Sequence, residues 1–308
     1  MTARAWAALT TVYVVWGSTY LAIMVAIRTL PPFLMSSARF LVAGGILYAF
    51  ALRRGAARPS VRHWRSAAVA GGALLVVGNG GVAWSEQRID SGVAALLIAT
   101  MPLWIALFDR VFAGRRLSRS RLLGLFVGLG GVVLLVGPVG STGVDAVGAL
   151  ACLVAAVSWA GGSVYARGAA LPRDLLLGSS MQMLSAGVLL AAAGLGSGEA
   201  GQVQPVSAAS LGAVAYLVVV GSIVTYSAYV WLLKSAPISI VSTYAFVNPA
   251  IAVALGAVFL GEPLGLRTLA ASAAIIVSVV LIVTGREGRA PAPVRAPEPL
   301  PEPLRQAA

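Results

Sequence analysis

Residues 84–117 and 231–264 align without a gap. Trp84 then meets Trp231, Pro102 meets Pro249, Val111-Phe112 meets Val258-Phe259, Gly114 meets Gly261 and Leu117 meets Leu264. Upstream, SSARFLVAG at 36–44 matches SSMQMLSAG at 179–187, which lays Trp16 on Trp159. A chain made of two copies of one unit folds into two similar halves, and the hydropathy of each copy says of what kind. Apolar stretches near 20 residues recur at about 6–27, 33–52, 66–85, 91–112, 120–138, 147–167, 175–196, 210–233, 238–260 and 265–284. Each is long enough to cross a hydrocarbon core about 30 Å thick. Charged residues make up 10% and hydrophobic ones 59%, too few charges to cover a water-soluble globule of this size. Backbone groups in lipid must be bonded within their own segment, so the predicted spans are helices. The short alternating strands of an outer-membrane barrel are not seen.

Each copy holds five spans. An odd number turns the second copy upside down relative to the first. The expectation is an all-α integral membrane protein with ten transmembrane helices in two inverted-topology five-helix repeats, residues 1–145 and 146–284. Residues 285–308 are rich in proline and read as a disordered cytoplasmic tail. Inverted repeats are typical of alternating-access transporters, whose site lies near the bilayer midplane between the halves.

The net charge of +12 could suggest a nucleic-acid partner, but its distribution does not. With the N-terminus placed inside, 17 Lys and Arg residues fall in inward segments, against only Arg28, Arg88 and Arg267 in outward loops. The positive-inside rule then puts both termini in the cytoplasm of a multi-pass bacterial cytoplasmic-membrane protein. The charge sets topology beside anionic lipid, and no nucleic-acid partner is expected. The lone cysteine, Cys152, excludes an internal disulfide and reads as a small packing residue. The one histidine, His63, lies in a basic loop. No HExxH helix, Walker loop or paired carboxylates appear. No catalytic residue, metal or cofactor is therefore expected, and energy would come from a solute gradient, an exchanged solute or an ion.

Ionisable side chains at membrane depth are costly, which makes each a functional candidate. Arg39 lies about seven residues into its span, roughly 10 Å from its end. Its guanidinium suits a carboxylate or phosphate; the counterpart in the other copy is the neutral Gln182. Glu86, beside Gln87, falls at a similar level at the outer end of the third span. The expectation is an Arg39–Glu86 pair that gates the outer vestibule. The alternative for Glu86, a coupling proton, is disfavoured because a loop-end carboxylate stays hydrated. Asp90 is expected to cap the fourth span, Glu262 to cap or brace a helix start, and Asp109 and Arg110 to form a local charge pair. No carboxylate falls at mid-span, which fits facilitated export or exchange.

The midplane candidates are neutral. Asn79 sits in Gly78-Asn79-Gly80-Gly81, and Asn248 and Met101 precede Pro249 and Pro102. Each proline removes a helical hydrogen bond, so the two read as matched helix-break hinges. Trp16, Tyr20, Trp159, Tyr165 and Tyr244 read as an aromatic cavity lining, or alternatively as interface anchors and packing groups. Gly124 and Gly128 form a GxxxG step for close helix contact, within one chain or between two, which leaves monomer or homodimer open.

Several pieces resemble the EamA-type branch of the drug/metabolite transporter superfamily. They are WGSTYLAI at 16–23, LPPFLMSSARFLVAG at 30–44, GNGGVAWSEQRIDSGVAALLIATMPLW at 78–104, SWAGGSVYARGAALP at 158–172, QMLSAG at 182–187 and VNPAIAVALGAVFLGEPL at 247–264. The resemblance covers about 6–284 and is nearest to the bacterial amino-acid and metabolite exporters. It implies ten helices in two inverted repeats and a cavity among spans 1, 3, 4, 6, 8 and 9. It also implies export of small organic solutes such as amino acids, metabolites or drugs. A flippase for a lipid-linked substrate, or an importer or exchanger of the same fold, are the alternatives. The implied partners are a small solute and the lipid bilayer. Where the second copy has GEPL at 261–264, the first has GRRL at 114–117, so the acidic position is not carried over.

Overall fold

In the computed structural model, residues 2–112, 118–136, 144–235 and 244–284 are described. The GRRL segment and the proline-rich tail lie outside them, as do the side chains of Asp109 and Arg110. Among the described residues there are helices and connecting turns, and no strand.

The first half opens with α1 (Ala3–Ala26), capped by the Thr2 hydroxyl, and α2 (Pro32–Arg53), which carries a proline in its first turn. A proline there loses no helical bond, because that N–H would be unpaired anyway. The next N–H groups of α2 are met from far along the chain: Glu199 accepts from Phe33 N at 3.2 Å and from Leu34 N at 2.9 Å. α3 (Val61–Ser85) follows, then α4 (Ser91–Ile98), α5 (Met101–Phe112) and α6 (Arg119–Val136). The second half holds α7 (Ala146–Gly168), α8 (Leu175–Gly196), α9 (208–235), α10 (Tyr244–Leu255) and α11 (Leu266–Thr284). Asp145 and Asp174 cap α7 and α8 through Gly148 N and Leu177 N. Six helices are long and apolar enough to cross a membrane, and four shorter apolar helices accompany them.

The helices that pack most extensively are α2 with α8 and α6 with α11. The first pair carries the matched segments 36–44 and 179–187, and the second follows directly on the matched segments 84–117 and 231–264. Glycines let them approach. A Cβ on Gly44 would lie 2.9 Å from Met183 Cβ, and one on Gly187 would lie 2.7 Å from Leu41 Cγ. These two glycines end the matched segments SSARFLVAG and SSMQMLSAG. The GxxxG step acts within the chain: Ser278 Oγ of α11 donates to Gly124 O at 2.6 Å, and a Cβ on Gly128 would collide with Ser278 Oγ. Cys152 is fully buried in the core between α4 and α7, its Sγ 3.4 Å from Ala94 O.

α3 also meets α8 closely. A Cβ on Gly71 would lie 2.5 Å from the backbone oxygen of Gln182, a group that cannot swing aside. Gly71→Ala is therefore expected to cost roughly 1–3 kcal/mol by overpacking. A lowered thermal midpoint of the purified protein checks it; an unchanged midpoint contradicts the contact.

Three π-helical stretches occur among the described residues. They are Gly72–Gly80 in α3 and Leu217–Val224 in α9, the third span of each half, and Gly256–Leu260, which continues α10. A π turn carries an extra residue and is common at functional sites. Freed carbonyls there find side chains: Ser158 Oγ donates to Ala73 O at 2.9 Å and Thr225 Oγ1 to Val220 O at 2.7 Å. The two prolines differ from the matched hinges expected. At Pro102 the chain breaks into α4 and α5 at Ala99-Thr100, whereas Pro249 lies inside the continuous α10. Thr100 shapes the break, since its Oγ1 donates to Leu97 O at 2.6 Å and accepts from Trp104 Nε1 at 3.2 Å.

Candidate functional site

The π stretches of α3 and α9 deliver polar groups to one point. Arg39, only 4% exposed, projects from α2 between them. Its Nε donates to Ser222 Oγ of α9 at 2.9 Å and its Nη1 to Asn79 Oδ1 of α3 at 3.3 Å. The guanidinium carbon lies 5.0 Å from the centre of the Phe40 ring. No carboxylate among the described residues pairs with it. Nη2 lies 3.5 Å from where a Cβ on Gly221 would stand, so the glycine leaves its approach open.

Arg39 helps to line a cavity of about 810 Å³ of non-atom space, counted out to its open mouth. Spans α1, α3, α4/α5, α7, α9 and α10 all contribute, and α2 and α8 do so as well. Apart from the guanidinium, its walls are neutral. An aromatic cluster forms one side: the Trp16 ring lies 4.9 Å from Tyr229 and 5.3 Å edge-on from Tyr244, and Tyr229 stands perpendicular to Tyr244 at 5.8 Å. Trp159 crosses from α7 onto Gly78, where a Cβ would lie 2.8 Å from its Cε3. With its amide turned to satisfy both acceptors, Asn248 donates to Tyr13 O and Tyr244 O, each at 3.2 Å, tying α10 to α1.

Of the residues singled out from sequence, Trp16, Tyr20, Arg39, Asn79, Trp159, Tyr244 and Asn248 line this cavity together. Gln87 is exposed and Tyr165 is 41% exposed, both away from it. Gln182 is buried against α3 and does not line it. Ser222, Gly221, Thr19 and Tyr226 were not foreseen. A Gly-Ser step within the otherwise apolar run 217–224 was the available signal.

The expected Arg39–Glu86 pair is not formed. Arg39 turns toward Asn79 and Ser222, and both Glu86 carboxyl oxygens lie buried with no hydrogen-bond partner. Asn79 lies seven residues before Glu86 on α3, so Arg39 meets that helix about two turns away from the carboxyl. Asp90 does not cap α4 through its side chain either. Glu262, from the other half, does so: it accepts from Ser91 N at 2.8 Å, Ser91 Oγ at 2.6 Å and Gly92 N at 3.0 Å. Gly92 and Gly256 leave room for that carboxylate. Burial, and then the nearby Glu262 charge, hold Asp90 above the usual carboxylate range.

The model of the EamA-like transporter family matches residues 4–137 and again 146–284. The chain belongs to the EamA-like transporter family. Among its relatives, YedA, an uncharacterized inner membrane transporter of Escherichia coli strain K12, is 38% identical over 291 residues, 94% of either chain. A WAT1-related chloroplastic protein of Arabidopsis thaliana, At3g02690, is 26% identical over 90% of this chain and 69% of its own. A solved crystal structure at 22% identity superimposes with a TM-score of 0.63, covering 92% of this chain and 99% of that one. At that identity the likeness concerns the fold alone. As an EamA-like protein with at least six membrane-competent helices, the chain is a multi-pass membrane protein. In this EamA-like chain, Arg39 is the charged residue of the cavity wall.

Proposed function

We propose that this protein is a secondary transporter that exports a small organic carboxylate across a bacterial cytoplasmic membrane by alternating access. The observation that carries the reading is the Arg39 guanidinium, buried, oriented and without a carboxylate partner among the described residues, in an otherwise neutral cavity. An unpaired buried cation is costly unless an anion completes it. One guanidinium balances one carboxylate. A phosphate ester brings nearly two negative charges and would leave part uncompensated. The aromatic side of the cavity suits an apolar body, and its ring faces can hold an amino acid's ammonium group. An amino acid or another carboxylate metabolite with an apolar side chain therefore fits best.

Transport is taken to run through ten spans in two inverted five-helix repeats, 1–145 and 146–284, with both termini cytoplasmic. The distribution of Lys and Arg, the double match of the family model, and the pairing of α2 with α8 and α6 with α11 support that arrangement. In it, the repeats rock about the cavity, and the break before Pro102 and Pro249 within α10 act as hinges. Export rests on the resemblance to the amino-acid and metabolite exporter group. The inner-membrane location of YedA supports the compartment.

Mass spectrometry of medium and cytosol tests this, using cells that express the wild type, Arg39→Gln or Gly221→Ala. A carboxylate metabolite enriched outside only with the wild type is expected. Gly221→Ala sets a methyl group 3.5 Å from Nη2 and 3.3 Å from Thr19 Cγ2, so it is expected to reduce export while keeping the charge. Equal metabolite profiles from all three would contradict the reading.

A further inference from the structure

Glu86 is the first residue after α3 and is 2% exposed. Both of its carboxyl oxygens are sealed from solvent and neither has a hydrogen-bond partner among the described residues. A carboxylate in that situation loses its hydration with nothing in exchange, whereas a neutral carboxyl gives up far less. No cation among the described residues bonds to it. Tyr20 of α1 and Cys152 of α7 lie within electrostatic range, and both are neutral at physiological pH. Glu262 of the other half acts on it as a second acid. On its own segment, Arg88 is stacked on the Trp84 ring at 4.0 Å, and Asp90 is another acid. From α2, Arg39 is turned to Asn79 and Ser222. The site is also joined to the cavity. Val82, whose carbonyl accepts from Glu86 N at 3.0 Å, lines it one turn earlier, and Tyr20 lines it from α1.

We infer that Glu86 is a proton-binding site that couples proton movement to the opening of its end of the cavity. This deepens the transporter reading and rests on it for the coupled solute. With Glu86 sealed from water, as it is here, the carboxyl is neutral. When that end opens, water reaches Glu86 and the proton leaves to bulk water as the carboxylate becomes hydrated; on closing, a proton is taken back from water. Only the O–H bond forms and breaks. Burial first, and the Glu262 charge second, hold the carboxyl well above the usual range in the closed form. The folded protein thus keeps a proton that the unfolded chain releases near pH 4.3, roughly the ordinary glutamate value. Its stability falls as pH rises from there through the raised value. Asp90 contributes with the same sign, so Glu86→Gln flattens the decline without removing it.

Two solute-free measurements on the full chain in lipid vesicles test the site. The first is an infrared pH titration of the protonated-carboxyl stretch in the wild type, Glu86→Gln and Glu86→Asp. A titrating band that is missing in Glu86→Gln and kept, shifted, in Glu86→Asp is expected. The second uses Cys152, the single cysteine, fully buried beside this site. Its labelling by an impermeant maleimide, normalised at each pH to the unfolded chain, should rise about tenfold per pH unit across the transition in the wild type, as for one linked proton. In Glu86→Gln it should stay low and flat. Gln imitates the neutral acid, so this variant is expected to fold; Glu86→Asp provides a second comparison. The absence of a Glu86-dependent band, or identical labelling profiles in the wild type and Glu86→Gln, overturns the inference. Neither assay contains solute. A titrating Glu86 with no export would sink the transporter reading alone, and export without a titrating Glu86 would sink the proton site alone.

Discussion

Arg39→Gln is expected to weaken binding of the exported carboxylate roughly 10- to 150-fold and to abolish its accumulation outside cells. Hydrogen bonds to a charged group contribute about 1.5–3 kcal/mol, and each 1.4 kcal/mol, roughly, is tenfold in affinity. The variant loses both the charge and the fork that matches a carboxylate. Arg39→Lys keeps the charge without the fork and should fall between. Stability should move the other way. Arg39 is 4% exposed and makes no ion pair among the described residues, so removing its charge relieves a desolvation cost. Calorimetry with the carboxylate found in the medium gives the affinity, and the thermal midpoint of the unliganded protein gives the stability. A midpoint well below that of the wild type would make Arg39 a structural residue.

Glu262→Ala should carry the largest stability loss, about 2–4 kcal/mol. It removes three hydrogen bonds to the start of α4, all made across the interface between the halves. Losing a helix cap alone costs up to about 2 kcal/mol, and bonds to a carboxylate are stronger than neutral ones. Asp90 occupies the capping position without making that bond, so nothing local takes over. Glu262→Gln keeps one acceptor and should lose about half as much. The thermal midpoints of the two variants check the order; an unchanged Glu262→Ala would show that α4 is held without its cap.

Much of the helical frame was legible because an apolar run of about 20 residues has one solution in lipid. The predicted span at 66–85 falls within Val61–Ser85, and those at 33–52 and 175–196 match α2 and α8 almost to the residue. The aromatic and asparagine lining was legible too, since polar and ring-bearing residues in an apolar chain draw attention by their cost. What sequence did not convey was rotation about the helix axis. Arg39 reaches α3 at Asn79, seven residues before Glu86, and faces the π stretches of α3 and α9, whereas Glu86 is enclosed behind the cavity wall. Glu86 is buried rather than hydrated for a related reason: packing by distant segments decides exposure. The π geometry of α3 and α9 was also hidden. It depends on carbonyl partners such as Ser158, 85 residues away from Ala73, and no local pattern announces them. Glu262 shows the converse: its role as a helix cap was foreseen, but the helix it caps belongs to the other half.

The most direct measurement is trapping of solute in sealed vesicles containing the purified protein. The vesicles are preloaded with the carboxylate identified in the medium, and the same radiolabelled compound is added outside. Label should accumulate in the lumen with wild-type protein and not with Arg39→Gln. If no label is trapped while a lipid-linked substrate crosses the same vesicles, the protein is a flippase and not a carrier of aqueous solutes.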